Sequence, residues 1–172
     1  MKNVIKIAIV GLGQVGNYLY NELKIKKKDF ELKTGKKIEI VGISAKSKNK
    51  NRKFKIDKKI FYSNPLELIN QKSPDVLFEL IGQPDGISKS VVELALKNNI
   101  NVITANKALI AKHGNNLAKL AEKYKVNLEF EASVAGGVPI LRTIKESLTT
   151  NKITKVYGIL NGTTNYILSE ME

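Results

Sequence analysis

The 172-residue chain contains no cysteine, no tryptophan, a single histidine, and only two arginines, Arg52 and Arg142. Without cysteine, disulfides and thiolate metal sites are excluded. No apolar run approaches the ~18 residues of a membrane-spanning helix. The start, Met1-Lys2-Asn3-Val4-Ile5, has neither the apolar stretch nor the small-residue cleavage site of a signal peptide. A soluble cytoplasmic protein is the plain reading. The scarcity of arginine bears on the formal charge of +13. Nucleic-acid readers use arginine forks and interleaved aromatics. Here the cations are almost all lysines, scattered along the chain and denser only over 24–28 and 46–59. A solvated, lysine-biased surface is expected, with no nucleic-acid and no membrane partner.

Hydrophobic residues make up 42% of the chain, enough for a core. The length suits one domain, or one domain plus part of another. Residues 4–10 form a short apolar run that ends in Gly11-Leu12-Gly13-Gln14-Val15-Gly16. Val15, Leu19 and Leu23 then repeat at helical spacing, so the order is strand, glycine turn, helix. Further strands are expected at 38–43, 75–81, 101–104, 126–130 and 153–160. Helices are expected from Pro65, over 88–97, through Leu117, Leu120, Ala121 and Tyr124, over 139–148, and from Tyr166. Asn64, Pro65 and Glu67 read as cap, first helical position and capping box. Strands alternating with helices imply parallel βαβ units: an α/β, Rossmann-like, doubly wound, mostly parallel sheet with helices on both faces. A change of role is expected near Glu131 to Val138, where two adjacent glycines interrupt the pattern. The domains are then 1–135 and 136–172.

Four stretches carry chemistry. In Gly11-x-Gly13-x-x-Gly16, the first glycine permits a tight turn and the second lets the backbone approach a pyrophosphate. The third lets helix and strand pack closely, and the helix N-terminus favours negative charge. An NAD site usually places a carboxylate at the end of the second strand to hold the ribose 2′-hydroxyl. Here that strand ends Ile43-Ser44-Ala45-Lys46-Ser47 with no acid. Ser44 and Lys46 suit a 2′-phosphate, so NADP(H) is favoured over NAD(H). In Val102-Ile-Thr-Ala-Asn106-Lys107, Lys107 lies just past a strand's carboxyl end, where open α/β sheets bind ligands. It could hold a cofactor amide, orient a carbonyl or move a proton, or be one more surface lysine; Asn106 can cap the helix that follows. The fourth stretch, Glu129-Phe-Glu131-Ala-Ser-Val134-Ala-Gly136-Gly137-Val138-Pro139, sets backbone carbonyls beside a carboxylate, as hard cations require, or forms a simple hinge.

GLGQVG, VITANKALIAKHG, FEASVAGGVPI and GILNGTTNYIL resemble, in order and spacing, segments of the homoserine dehydrogenase family over nearly the whole chain. The resemblance implies an enzyme that interconverts L-homoserine and L-aspartate 4-semialdehyde with NAD(P)(H), on the route to threonine and methionine. By resemblance, Gly11, Gly13, Gln14, Val15 and Gly16 hold the pyrophosphate, and Ile81 and Gly82 lie near the nicotinamide. Lys107 contacts cofactor and reacting carbonyl. Glu131 with the carbonyls of Val134, Gly136 and Val138 forms a structural sodium site. Asn161 to Asn165 begin the substrate and dimerisation region, and the intact enzyme is a homodimer. The same resemblance implies a dinucleotide-binding domain for 1–135 and the beginning of an α+β catalytic and dimerisation domain for 136–172. Where the family commonly has a Gly-Gly pair, this chain has Gly82-Gln83. The family's substrate-binding glutamate, its aspartate and its proton-donating second lysine have no counterparts here. The helix from Tyr166 also has no stop signal. The expectation is therefore a piece of a longer chain that binds cofactor, is nearly inactive alone, and leaves Tyr166, Ile167 and Leu168 poorly ordered or buried against a neighbouring copy. The alternatives are an aspartate-dehydrogenase-like enzyme with another amino-acid substrate, or a non-catalytic NADP-sensing module. His113 is read as a surface or helix-end residue and Asp85 as a turn or cap residue. Tyr18, Tyr20 and Tyr166 are read as packing groups.

Overall fold

In a computed structural model, residues 3–47, 56–158 and 162–171 are described. The chain divides into two compact units, Met1–Phe130 and Glu131–Glu172.

The first unit is a six-stranded parallel sheet: β1 (Val4–Val10), β2 (Lys37–Ser44), β3 (Phe61–Tyr62), β4 (Val76–Glu79), β5 (Asn101–Thr104) and β6 (Leu128–Glu129). Spatial order is β3-β2-β1-β4-β5-β6, with every adjacent pair parallel. The order reverses between β1 and β4, which creates the topological switch point of a doubly wound sheet.

Strand alternation sorts side chains onto two faces. Ile7 and Ile9 of β1 pack with Tyr20 of α1 (Gln14–Ile25) and with Ile38 and Ile43 of β2. Ala8 and Val10 pack on the other side with Leu68, Leu77, Val91, Leu96, Leu109 and Leu117. These come from α3 (Pro65–Lys72), β4, α4 (Ile87–Lys97) and α5 (Lys107–Tyr124). A register shift after Ile7 leaves Val41 as an extra residue in β2. It brings Gly42 under Leu68, where a Cβ on Gly42 would overlap Leu68 Cδ1.

Local signals act as their chemistry requires. Asn64 Oδ1 accepts from Leu66 N at 3.0 Å and its amide reaches Glu67 Oε1 at 3.4 Å, with Pro65 opening α3. The buried stripe of α1 is Gly16 and Tyr20, with Leu19 and Leu23 partly packed. Val15 is 59% exposed and Tyr18 also faces solvent, so the stripe is displaced from the one the leucine spacing implied. A second helix, α2 (Lys27–Thr34), buries none of its residues. It had no sequence signature, because without a buried face it has no apolar period. Much of the basic loop over 46–59 lies outside the described residues, and so does the end of the expected strand at 153–160. Over 152–158 there is no regular structure. A strand is held by ladder bonds to a neighbour, and among the described residues none pairs with this stretch.

The second unit opens with a short 3-10 turn, Glu131–Ser133. Next come α6 (Ile140–Arg142) and a single π-type turn, Thr143–Ser147, in place of one regular helix over 139–148. Its last described element, α7 (Gly162–Met171), starts earlier than Tyr166. Tyr166, Ile167, Leu168 and Met171 are exposed, so Tyr166 does not act as a packing group.

Candidate functional site

The glycine turn lies at the carboxyl end of β1. Gly11 has φ +97°, a left-handed conformation that favours glycine, and its N–H donates to Ser44 O at 2.9 Å. A Cβ there would stand 2.5 Å from the Leu80 carbonyl carbon and oxygen. A Cβ on Gly16 would overlap the Gly11 carbonyl oxygen, so α1 and the turn touch backbone to backbone. Gly13 differs. It has ordinary extended torsions, φ −73° and ψ −159°, and a Cβ on it would meet nothing within 4 Å. Gly11 and Gly16 thus fix the fold of the turn, whereas the space over Gly13 is open. Gln14 and Val15 begin α1 at its rim, where unpaired helix N–H groups attract anions.

Ser44 ends β2 and is only 2% exposed. Its contribution to the turn is the carbonyl that holds Gly11 N. Lys46, two residues on, is exposed.

Across the switch point, Leu80 N donates to Val10 O at 2.7 Å. The chain then turns through Ile81, half-buried, and Gly82, exposed with φ +89°. Lys107 is the first residue of α5 and is exposed. Asn106 caps that helix by accepting from Leu109 N at 3.1 Å, as its position implied. Ile81, Gly82 and Lys107 follow the carboxyl ends of the paired strands β4 and β5.

One residue of this region was missed. Glu79 is fully buried at the end of β4. Its Oε1 accepts from Ile81 N at 2.9 Å and Ser88 Oγ at 2.8 Å, and its Oε2 accepts from Thr104 Oγ1 at 2.6 Å. Asn106 Nδ2 lies 3.3 Å from Oε1 and donates to Gln83 O at 2.7 Å. A glutamate inside an apolar strand is the available signal, since glutamate is almost never fully buried without partners.

His113, read as a surface or helix-end residue, has an acid partner: its side chain is 13% exposed and its Nε2 lies 2.8 Å from Asp85 Oδ1, while Lys112 Nζ lies 2.6 Å from Asp85 Oδ2. Asp85 sits just before α4 and ties that loop to α5. The Lys112 hydrogen bond, then that of His113, holds the Asp85 carboxyl below its ordinary pKa.

In the second unit, Glu131 Oε1 accepts from Leu141 N at 3.0 Å and Oε2 from Arg142 N at 2.9 Å. Its carboxylate therefore caps the first turn of α6, where negative charge is favoured. Val134 N donates to Glu131 O at 3.1 Å and Ile140 N to Val138 O at 2.8 Å. Gly136 is exposed within the same loop.

Both units of the chain resemble known proteins. Residues 11–131 match the family model for the NAD-binding domain of homoserine dehydrogenase. Residues 139–172 match the homoserine dehydrogenase model. Homoserine dehydrogenase of Neisseria gonorrhoeae is 40% identical over 97% of this chain and 38% of its own length. That of Bacillus subtilis is 35% identical over the same shares. A crystal structure of homoserine dehydrogenase from Thiobacillus denitrificans aligns with a TM-score of 0.85 at 34% identity, over 98% of this chain and 38% of that one. A hyperthermophilic archaeal homoserine dehydrogenase mutant in complex with NADPH shares the fold, with a TM-score of 0.81 at 24% identity over 98% of this chain and 56% of that one. The chain spans about 38% of the length of these curated relatives. By family models that cover both of its units, the chain belongs to the homoserine dehydrogenase family.

Proposed function

We propose that this chain is the cofactor-binding part of an NAD(P)-dependent oxidoreductase that interconverts L-homoserine and L-aspartate 4-semialdehyde. The observation that carries the reading is the open space over Gly13, in a turn locked by Gly11 and Gly16 at the switch point. The donors there are backbone N–H groups at a helix N-terminus, the chemistry that a pyrophosphate takes. A nicotinamide cofactor held by Gly11 to Gly16 would supply or accept the hydride exchanged at the substrate carbon.

This chain's residues bind and orient. Gly11 to Gly16, with Gln14 and Val15 in the first turn of α1, hold the pyrophosphate. Ile81 and Gly82 form the nicotinamide-side wall. The Lys107 ammonium, at the start of α5, steadies the cofactor and the reacting carbonyl oxygen. NADP(H) is favoured over NAD(H), because no acid stands between Ser44 and Ile56 and Lys46 is exposed beyond β2. Ser44 serves through its backbone, and Lys46 meets the 2′-phosphate. Residues 1–135 act as the dinucleotide-binding domain, and 136–172 begin the catalytic and dimerisation domain of a cytoplasmic homodimer.

The Glu131 region supplies only oxygen donors, which suits sodium. Each Glu131 oxygen accepts one main-chain N–H and retains a lone pair. A rise in melting temperature with sodium over choline chloride, lost in Glu131→Ala, is the expected result. No rise would remove sodium from the account.

The 172-residue chain alone is expected to bind cofactor and turn over little. A positioned general acid by itself contributes ~10²–10⁴-fold. The testing experiment is reduction of aspartate 4-semialdehyde with NADPH and NADH by the full-length protein, with the 172-residue chain assayed beside it. A full-length protein that fails to reduce the aldehyde would sink the proposed activity. Full turnover by the short chain would show that its chemistry is misplaced.

A further inference from the structure

Glu79 is the fully buried carboxylate of the first unit that no step above uses. It lies at the register level of Val10 in β1 and Thr104 in β5, the last residues of both strands. Its side of β4 is that of Leu77, facing the α4 and α5 layer. The apolar stripe of the strand therefore ends in a carboxylate directly beneath the two segments assigned to the nicotinamide side.

Each of its bonds goes to one of those segments or to their support. Ile81 N–H fixes the entry to the Gly82 turn. Thr104 O–H donates to Oε2, and Thr104 Oγ1 in turn accepts from Asn106 N at 3.0 Å. Asn106 caps α5 and binds Gln83 O. Ser88 of α4 closes the set on Oε1. One carboxyl group thus joins the Ile81–Gln83 turn to the residue that precedes Lys107. A fully satisfied hydrogen-bond network in a dry interior defines one arrangement of its members.

We propose that Glu79 is a positioning residue for the nicotinamide half of the bound cofactor. It sets the Ile81–Gly82 wall against Lys107 through Thr104 and Asn106 without touching the ligand. This rests on the cofactor reading above. The pyrophosphate turn has anchors of its own, although Gly11 also packs on the Leu80–Ile81 backbone: Gly11 N is held by Ser44 O, and α1 by the Gly16 contact.

Those separate anchors supply the test. NADPH carries both halves of the ligand, whereas 2′-phospho-ADP-ribose lacks the nicotinamide. Dissociation constants for both are measured on wild type, Glu79→Gln, Thr104→Val and Thr104→Ser, with NADH and ADP-ribose as the parallel pair. In Glu79→Gln the new amide meets Thr104 Oγ1 donor to donor, so the threonine proton loses its acceptor. Thr104→Val leaves Glu79 Oε2 and Asn106 N without partners at nearly constant volume. Both are expected to weaken the nicotinamide-bearing ligand about tenfold, the scale of one lost buried hydrogen bond, and to leave its truncated counterpart unchanged. Thr104→Ser keeps the hydroxyl and is expected to bind both as wild type does. If Glu79→Gln does not fold, Thr104→Val decides alone. Equal weakening of both ligands overturns the proposal by making the network a general scaffold, and no weakening of either overturns it outright. A wild-type chain that binds neither pair overturns the cofactor reading and this proposal with it.

Discussion

Gly13→Ala separates binding from folding. A Cβ at Gly13 meets nothing within 4 Å, and φ −73° with ψ −159° is open to alanine. Folding is therefore expected to be unimpaired, and restricting the unfolded chain adds ~0.4–1 kcal/mol of stability. In the proposed site, the same methyl would occupy the space through which a pyrophosphate reaches the backbone N–H groups of the turn. Loss of one hydrogen bond to a charged group costs ~1.5–3 kcal/mol, or ~10–150-fold in affinity. Gly16→Ala is the counter-variant. Its Cβ overlaps the Gly11 carbonyl oxygen, which is backbone and cannot rotate away. Forced overpacking costs ~1–3 kcal/mol, and at this chain length each kcal/mol lowers the melting temperature by ~2–4 °C. The assay is thermal unfolding alongside NADPH titration for both variants. Gly13→Ala should keep or slightly raise its melting temperature and lose affinity, and Gly16→Ala should lose both. Wild-type affinity in a folded Gly13→Ala would refute the placement of the pyrophosphate.

Three other outcomes are expected. Gly42→Ala drives a methyl into buried Leu68 and should lower stability by ~1–3 kcal/mol, read by urea unfolding. Lys46→Ala should weaken NADPH by ~10–150-fold, the same charged-bond scale, and leave NADH unchanged; an equal effect on both would remove Lys46 from the 2′-phosphate site. The third concerns pH. The folded-state pKa of Asp85 is lowered, so its contribution to stability is present above the unfolded value of ~3.9 and lost as pH falls through the lowered folded value. Urea midpoints for Asp85→Asn should lie below wild type at neutral pH and converge with it in acid. A gap that persists in acid would show that the Lys112 and His113 contacts are not what stabilises the loop.

Much of the fold was legible because strands buried on both faces and capped helices announce themselves. Residues 4–10 and 101–104 were read at their observed bounds, and Asn64 and Asn106 were read as caps. Five features were not legible, for physical reasons of their own. Helix α2 has no buried face, so it has no period to read. Strand β3 is two residues long and exists by pairing with Ile43 and Ser44. Residues 153–158 are apolar enough for a strand, but a strand is also a set of bonds to a neighbour. Within the site, the glycines announced themselves through spacing, whereas Glu79 did not. Its partners lie 2, 9, 25 and 27 residues away and converge only once β4 and β5 pair. Asp85 and His113 are likewise 28 residues apart, so a search for a nearby acid could not find the pair.

The central claim is that the Gly11–Gly16 turn and the β4–β5 strand ends form a nicotinamide-cofactor site that prefers NADP(H). Its most direct measurement is equilibrium titration of the 172-residue chain with NADPH and NADH, followed by the fluorescence of the reduced nicotinamide. The chain has no tryptophan to contribute background. Saturable binding of both, tighter for NADPH and abolished or strongly weakened by Gly13→Ala, is the predicted result. A folded chain that binds neither cofactor, or binds NADPH regardless of a methyl at Gly13, would contradict it.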